Sequence, residues 1–452
     1  MVHPPRHPRM CFPILILVSA LVVCLMSAPV FPQGTPEDAA LLTARQLKEG
    51  RFSDIATSFT AEMAAALPAA NLAQIWGNLV ATVGPVRDVG NPRTVQLGST
   101  SVVTVPLQFE RGSFDLVITV TAGKTAGLFI RPAQTPPPPR TAAAYNNPAA
   151  YHDVEITIGA APMTLPATLS LPQATKKVAA VVLVHGSGPN DRNETIGANR
   201  PFQDLAEGLA SRGIAVLRYE KRAKVYPQAF AAHGRTFTVR EEVIEDAVAA
   251  IALLRARAEI DPGKVVVIGH SLGATLAPRI AKENPAPAAI VMLAAAARPI
   301  PELLIEQTEY LAGLNGTPDA TVKAQIATLK AEAERALAAK VGDTGEPILN
   351  VPPSYWADLN AYDPVATAAT LTLPILALQG GRDYQVTSKD FERFQSSLSG
   401  RSNATLTLLP ALNHIFIAGD GPSSPVEYAK PGHVDAAVIE AIAQFIDRLP
   451  GS

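Results

Sequence analysis

Residues 265–278 read V-V-V-I-G-H-S-L-G-A-T-L-A-P, and this stretch restricts the fold more than any other. A β-branched run that ends in Gly269-His270-Ser271-Leu272-Gly273 and passes straight into small residues predicts a strand, a very tight turn and a helix. That is the arrangement of a nucleophile elbow. The bend is sharpest at Ser271, and the flanking glycines let strand and helix approach without Cβ clashes. Ser271 Oγ then projects from a sheet, placed to attack a carbonyl carbon. The five-residue pattern occurs by chance in many chains; the apolar run before it and the helical segment after it give it meaning.

The surrounding sequence alternates in the same way. Residues 151–158 and 163–171 suggest a hairpin, and 178–184 form an apolar strand ending in His185-Gly186-Ser187-Gly188. An amphipathic helix over 202–212, a strand over 214–219 and a long helix over 239–258 precede the elbow, and a strand over 289–293 follows it. The alternation resumes with strand 374–378, helix 389–398, strand 404–408 and a last helix over 433–448. Strands alternating with helices predict a doubly wound, mostly parallel α/β sheet with right-handed crossovers, the catalytic part spanning 149–452. The interruption over 300–366 is mostly helical and is read as a cap over the strand ends. A solvated helical excursion is the alternative.

A chain of 452 residues is long for one domain. Residues 36–66 repeat apolar positions at helical spacing and fit two short helices parted near Gly50, and 71–83 fit a third. Residues 94–97, 101–109, 113–121 and 123–130 then read as an antiparallel meander punctuated by glycines. Together they predict a small α+β domain over 35–131, with Trp76 in its core. Pro132, Pro136 to Pro139 and Asn146-Asn147-Pro148 mark a stiff linker over 132–148. Residues 1–34 read as an export signal: Arg6 and Arg9 precede an uncharged apolar run over 12–26 that ends near Ser27 and Ala28. An uncleaved anchor is one alternative, and lipidation at Cys24 is another. Membrane association is expected only if this segment stays on.

Both cysteines, Cys11 and Cys24, fall in that segment, so the mature chain has no disulfide or thiol nucleophile. Six histidines remain, His152, His185, His233, His270, His414 and His433, and none has metal-ligand spacing. No metal or other cofactor is expected. A net charge of -2 gives no reason to expect nucleic acid.

A serine hydroxyl needs a base to take its proton and an acid to orient that base. In the order nucleophile, acid, base, Asp383 follows the apolar strand of L-Q-G-G-R-D, and His414 lies just past the last strand in L-N-H-I-F. The competing readings are a turn-capping Asp383 and a buried structural His414. Asp390 and Glu392 are expected to face solvent, His433 to be surface or capping chemistry, and His270 to serve packing. Oxyanion donors are expected from the backbone N–H of Leu272 and from Ser187 in the H-G-S-G loop, with His185 pinning that loop.

Taken together, L-V-H-G-S-G-P-N-D-R-N-E, L-R-Y-E-K-R, G-H-S-L-G, L-Q-G-G-R-D-Y-Q-V and L-P-A-L-N-H-I-F resemble the α/β-hydrolase superfamily. The branch is similar to bacterial cinnamoyl and acetyl esterases and to serine aminopeptidases. The resemblance implies triad roles for Ser271, Asp383 and His414, and an acyl-enzyme route on a small-molecule ester. Two positions depart from it: Leu272 stands where glutamate is frequent, and Tyr219-Glu220-Lys221-Arg222-Ala223 where an aspartate and a glycine are usual. The pattern F-T-A-E-M-A-A-A-L-P followed by I-W-G-N-L resembles a small domain of unknown function with a fold similar to nuclear transport factor two. A peptidase on the same fold, using Glu302 or Glu306 to bind an amino terminus, an acyltransferase and a non-enzymatic binding module are the alternatives. The sequence fixes no oligomeric state.

Overall fold

A computed structural model describes residues 34–97, 100–133, 140–227, 236–314 and 316–450. Residues 1–33 of the expected export signal, both cysteines among them, lie outside the described residues, as do 134–139 of the proline-rich stretch. Contacts divide the chain into two units between Pro136 and Pro137.

The first unit runs α1 (Pro36–Glu49), α2 (Phe52–Thr57), α3 (Ala61–Ala66), α4 (Ala69–Val83), β1 (Val86–Val89), β2 (Arg93–Leu97), β3 (Thr100–Phe109), β4 (Gly112–Thr121) and β5 (Lys124–Pro132). Its antiparallel sheet has the order β1-β3-β4-β5, with β2 paired to β3. Alternate residues of β3, Val103, Val105, Leu107 and Phe109, are buried in one core with Leu47, Ile55, Leu72 and Trp76. Residues 36–66 form three helices where the spacing suggests two. The backbone of Ser58 and Thr60 pairs with Thr125, which stops α2, and the Thr60 hydroxyl then accepts the Met63 N–H and starts α3. The short strand β1 was not anticipated, since V-R-D-V carries too little periodicity to announce itself.

The second unit contains β6 (Tyr151–Ile158), β7 (Leu165–Pro172), β8 (Val178–Val184), α5 (Pro201–Ala210), β9 (Ala215–Tyr219) and α6 (Arg222–Val225). A π turn (Arg240–Ile244) leads into α7 (Glu245–Ala256), followed by β10 (Ile260–His270), α8 (Leu272–Ile280) and β11 (Ala289–Leu293). The helical insertion is α9 (Ile300–Gly313), α10 (Ala320–Ala338), α11 (Pro353–Asn360) and α12 (Pro364–Ala369). The chain finishes with β12 (Ile375–Gly380), α13 (Ser388–Leu398), β13 (Ala404–Leu409) and α14 (Ala436–Asp447). The sheet order is β13-β12-β11-β10-β8-β9-β7-β6, parallel from β13 through β9, with the β6–β7 hairpin antiparallel at one edge. This is the doubly wound architecture that the alternation predicts.

Both faces of this sheet are covered, which explains why its central strands carry no polar alternation. Ala180, Val182 and Val184 of β8 enter one core with α7 and α8, while Val181 and Leu183 enter the other with α5 and α14. Residues from Arg140 onward, read as linker from sequence, are held on this unit: Arg140 pairs with Glu207 at 2.9 Å, and Tyr145 donates to the Val434 carbonyl at 2.9 Å. The final helix begins at Ala436, because Asp435 caps it. His433, ahead of it, is partly exposed as expected, but it also pairs with the buried Asp204 at 2.9 Å and so anchors the segment that leads into this helix.

Asp390 is a second correction. Instead of facing solvent it is fully buried, accepts the N–H groups of Ala297 and Arg298 at 3.0 Å each, and pairs with the Arg298 guanidinium at 2.7 Å. It thereby fixes the point at which the insertion leaves the sheet. Glu392 is exposed, as expected. Asp390→Ala would leave two N–H groups without their acceptor and the Arg298 guanidinium with Glu306 and Thr387 only, so it is expected to cost about 2–4 kcal/mol, measured by urea denaturation; a loss near zero would mean that Glu306 and Thr387 suffice to fix this point.

Candidate active site

The elbow forms as the sequence dictates. Ser271 sits at φ 53°, ψ -117°, a region that side-chain-bearing residues rarely enter, between the end of β10 and the first turn of α8. A Cβ at Gly273 would run into the carbonyl oxygens of Val184 and His185, and one at Gly269 into the Gly273 backbone. Glycine at both positions is what lets the helix lie against the end of β8. The strained turn is tied down by the Ser271 N–H, which donates to the Leu293 carbonyl at 2.9 Å. Leu272 is the first residue of α8, where backbone N–H groups lack helical partners.

Asp383 and His414, far apart in the chain, meet at 2.7 Å between Asp383 Oδ2 and His414 Nδ1. Both are buried. Asp383 Oδ1 accepts the N–H groups of Gln385 and Val386 at 2.8 and 3.0 Å, so this carboxylate caps its own turn while its other oxygen holds the imidazole. An acceptor on Nδ1 places the ring proton there and leaves Nε2 as the basic nitrogen. The His414 carbonyl is held at 2.9 Å by Nε2 of His270, the residue preceding Ser271, and the two imidazole rings lie 4.8 Å apart. One residue thus links the serine turn to the histidine loop.

His270 does more than fill space. Its Nδ1 lies 2.9 Å from Glu194 Oε2, off the axis of an aligned hydrogen bond, and both groups are almost completely buried. Burial by itself would lower the His270 pKa, but the Glu194 carboxylate outweighs it and holds the imidazole above its ordinary value. For Glu194, burial raises the pKa and the His270 charge opposes it, with a net lowering. Glu194 Oε1 also accepts the Gly186 N–H at 2.6 Å.

The H-G-S-G loop passes directly over the elbow, with Gly186 so close that a Cβ there would come 3.1 Å from Ser271 Cβ. Because Gly186 N–H is engaged by Glu194, the next amide along this loop is that of Ser187, a residue exposed to solvent. The Gly186 carbonyl accepts from Lys221 Nζ at 2.8 Å, and Lys221, only 2% exposed, is also paired with Glu242 at 2.8 Å. His185 pins the loop as expected: Nε2 donates to the Asp191 carbonyl at 3.0 Å and the ring lies between Phe202 and Tyr219. Burial drives its pKa down to about 4, so it stays neutral.

Glu194 and Lys221 are the residues that sequence reasoning missed. For Lys221 the only signal was a charge just past the end of an apolar strand, in Y-E-K-R; Glu194 stands farther along the loop after β8, in N-D-R-N-E, with no such signal. Among the insertion carboxylates, Glu302 is exposed, whereas Glu306 lies within 2.6 Å of both Arg298 and Lys389. Tyr310 of α9 stacks on Tyr384 at 5.5 Å and donates to the Ser423 carbonyl, which sets the insertion beside the Asp383 and His414 loops. Among the described residues no group of His, Cys, Asp and Glu could hold a metal ion.

A family model described as the alpha/beta hydrolase family matches residues 181–430. Esterase EstD of Thermotoga maritima is 37% identical over 417 residues, covering 91% of this chain and 96% of the relative. Among solved structures, Est1E from Butyrivibrio proteoclasticus matches 65% of this chain and 98% of its own at 18% identity and a TM-score of 0.42. A Pyrococcus furiosus esterase matches 70% and 98% at 16% identity and a TM-score of 0.43.

The neutral, buried His185 gives a pH signature. Its folded pKa lies below the unfolded value of 6.5, so the native state binds fewer protons and the contribution falls as pH drops from 6.5 toward about 4. The stability gap between the wild type and the non-titrating His185→Gln is expected to narrow by about 2 kcal/mol between pH 7 and 4.5. Urea denaturation of both proteins measures it, and a gap independent of pH would show that His185 takes up its proton freely.

Proposed function

This chain belongs to the alpha/beta hydrolase family, and we propose that it is an esterase that cleaves carboxylic esters through an acyl-enzyme built on Ser271, Asp383 and His414. The observation that carries this reading is the 2.7 Å pair between Asp383 and His414, coupled through the His414 carbonyl and His270 to the strained turn at Ser271. EstD, which matches over nearly its whole length, is named an esterase.

In this mechanism His414 Nε2 takes the Ser271 proton as Oγ attacks the ester carbonyl. Asp383 keeps the Nδ1 proton in place and stabilises the imidazolium that forms. The alkoxide of the tetrahedral intermediate lies against the N–H groups of Leu272 and Ser187, each typically worth about 3–4 kcal/mol to the transition state. His414 returns its proton to the departing alcohol, then activates the water that hydrolyses the acyl-enzyme. The α9–α12 insertion, which reaches the acid and base loops through Tyr310 and Tyr384, is the cap that bounds the substrate. The peptidase alternative needs a carboxylate open to a substrate amino terminus: Glu306 is already engaged by two cations, whereas Glu302 is exposed and keeps that alternative for the anilide assay to decide.

Export belongs to this reading too, supported by Arg6, Arg9 and the apolar run over 12–26. N-terminal sequencing of the mature protein is expected to begin between residues 28 and 35; retention of residue 1 or 2 would reject cleavage.

A chain-length series of p-nitrophenyl esters beside aminoacyl p-nitroanilides tests the chemistry. Ester cleavage by the wild type is expected, with Ser271→Ala inactive and Asp383→Asn slower in kcat by about 10⁴-fold, both variants folded by circular dichroism. Anilide cleavage at comparable efficiency, or an active Ser271→Ala, would overturn the assignment.

A further inference from the structure

Lys221 poses a question that the triad leaves unanswered. An ammonium buried to 2% exposure loses its hydration, a cost that only good partners offset. Its partners are Glu242, at 2.8 Å, and one backbone atom, the Gly186 carbonyl oxygen, also at 2.8 Å. Asn190 Nδ2 reaches the same oxygen at 3.1 Å and the Ser187 carbonyl at 3.0 Å, and the Lys221 N–H in turn donates to the Asn190 carbonyl at 3.1 Å. Glu242 is held from its far side by the Tyr355 hydroxyl at 2.7 Å.

The carbonyl of Gly186 and the N–H of Ser187 belong to the same peptide group. In a planar trans peptide these two bonds point in opposite directions. Whatever grips the carbonyl from beneath therefore decides where the N–H points. Glu194 fixes the preceding peptide in the same way, by accepting the Gly186 N–H at 2.6 Å. Glycine at 186 gives the backbone freedom to rotate between these two peptides, so without both anchors nothing local selects one orientation.

We propose that Lys221, assisted by Asn190, is a positioning residue that turns the Ser187 N–H toward the reacting carbonyl by holding the other end of its peptide. The ammonium also polarises that amide, because hydrogen bonds through one peptide strengthen each other. It touches neither substrate nor Ser271. The role rests on the esterase reading, which makes Ser187 an oxyanion donor. It goes beyond that reading by assigning a use to a lysine that otherwise only neutralises Glu242.

The test compares Lys221→Met/Glu242→Gln with the wild type, so that no buried charge is stranded in either and the carbonyl anchor is removed together with its counter-ion. Active sites are counted by the p-nitrophenol released on phosphorylation with diethyl p-nitrophenyl phosphate, which removes any effect of folded fraction. Per active site, the double variant is expected to show kcat on p-nitrophenyl butyrate lower by about 30-fold at a KM within threefold, as for loss of an interaction made only in the transition state. Asn190→Ala, at a half-exposed position, is expected to lower kcat about fivefold in the same pattern. An unchanged kcat in the double variant overturns the proposal; if that pair does not accumulate folded, an unchanged kcat in Asn190→Ala does so. Loss expressed in KM instead of kcat also overturns it. A wild type neither phosphorylated at Ser271 nor active on the ester rejects the esterase reading and this role with it, whereas an active wild type with unaffected variants rejects the role of Lys221 alone.

Discussion

The backbone contact between the elbow and the end of β8 is the constraint on which the rest of the site depends. Gly273 lies against the Val184 and His185 carbonyls, and Gly269 against Gly273, with no space for a Cβ at either place. Because helix and strand meet this closely, the chain must reverse within one residue, and that residue, Ser271, is forced to a positive φ. The same contact brings the loop after β8 over the serine, since His185 and Gly186 follow directly from the strand that Gly273 touches. A methyl group at Gly273 would therefore push Ser271 and the loop after β8 apart together.

Beneath this contact lies a layer of buried charge. His270 with Glu194 and Lys221 with Glu242 are ion pairs with all four side chains largely sealed from solvent. Surface pairs such as Lys330 with Glu309, both about half exposed, contribute about 0–1 kcal/mol. Buried pairs behave differently: their assembly gains little, but removing one partner costs about 3–5 kcal/mol because it leaves a naked charge. What this layer supplies is fixed geometry. Glu194 and Lys221 hold the two peptides on either side of Gly186, and His270 holds the His414 carbonyl. Through Tyr355 of α11 the hydrogen-bonded series continues from Glu242 into the helical insertion.

The insertion is secured independently of that series. Arg279 of α8 makes two hydrogen bonds with Asp358 of α11, at 2.9 and 3.1 Å, and Arg298 with Asp390 fixes its departure from the sheet. An element anchored to the elbow helix, to the strand end and beside the acid loop keeps its position relative to the nucleophile.

Much of this was legible in the sequence because it depends on local pattern. The run over 178–184 reads as a fully apolar strand, and G-H-S-L-G after a β-branched run and before a helical segment predicts a sharp turn at Ser271. Chain order and strand ends nominated Asp383 and His414, and the structure brings these two to 2.7 Å. The buried polar groups that were misplaced or left without a role share one cause. Asp390 on a helix, and Glu194 and Lys221 in loops, carry no periodic signature, and their burial is decided by partners tens of residues away. Hydrophobic spacing is a property of neighbours in sequence, so the sequence by itself determined every strand but the short β1, the elbow and the candidate chemistry. Pairing of charge is a property of neighbours in space, so only the tertiary structure decided which polar groups are held dry and what they hold in place.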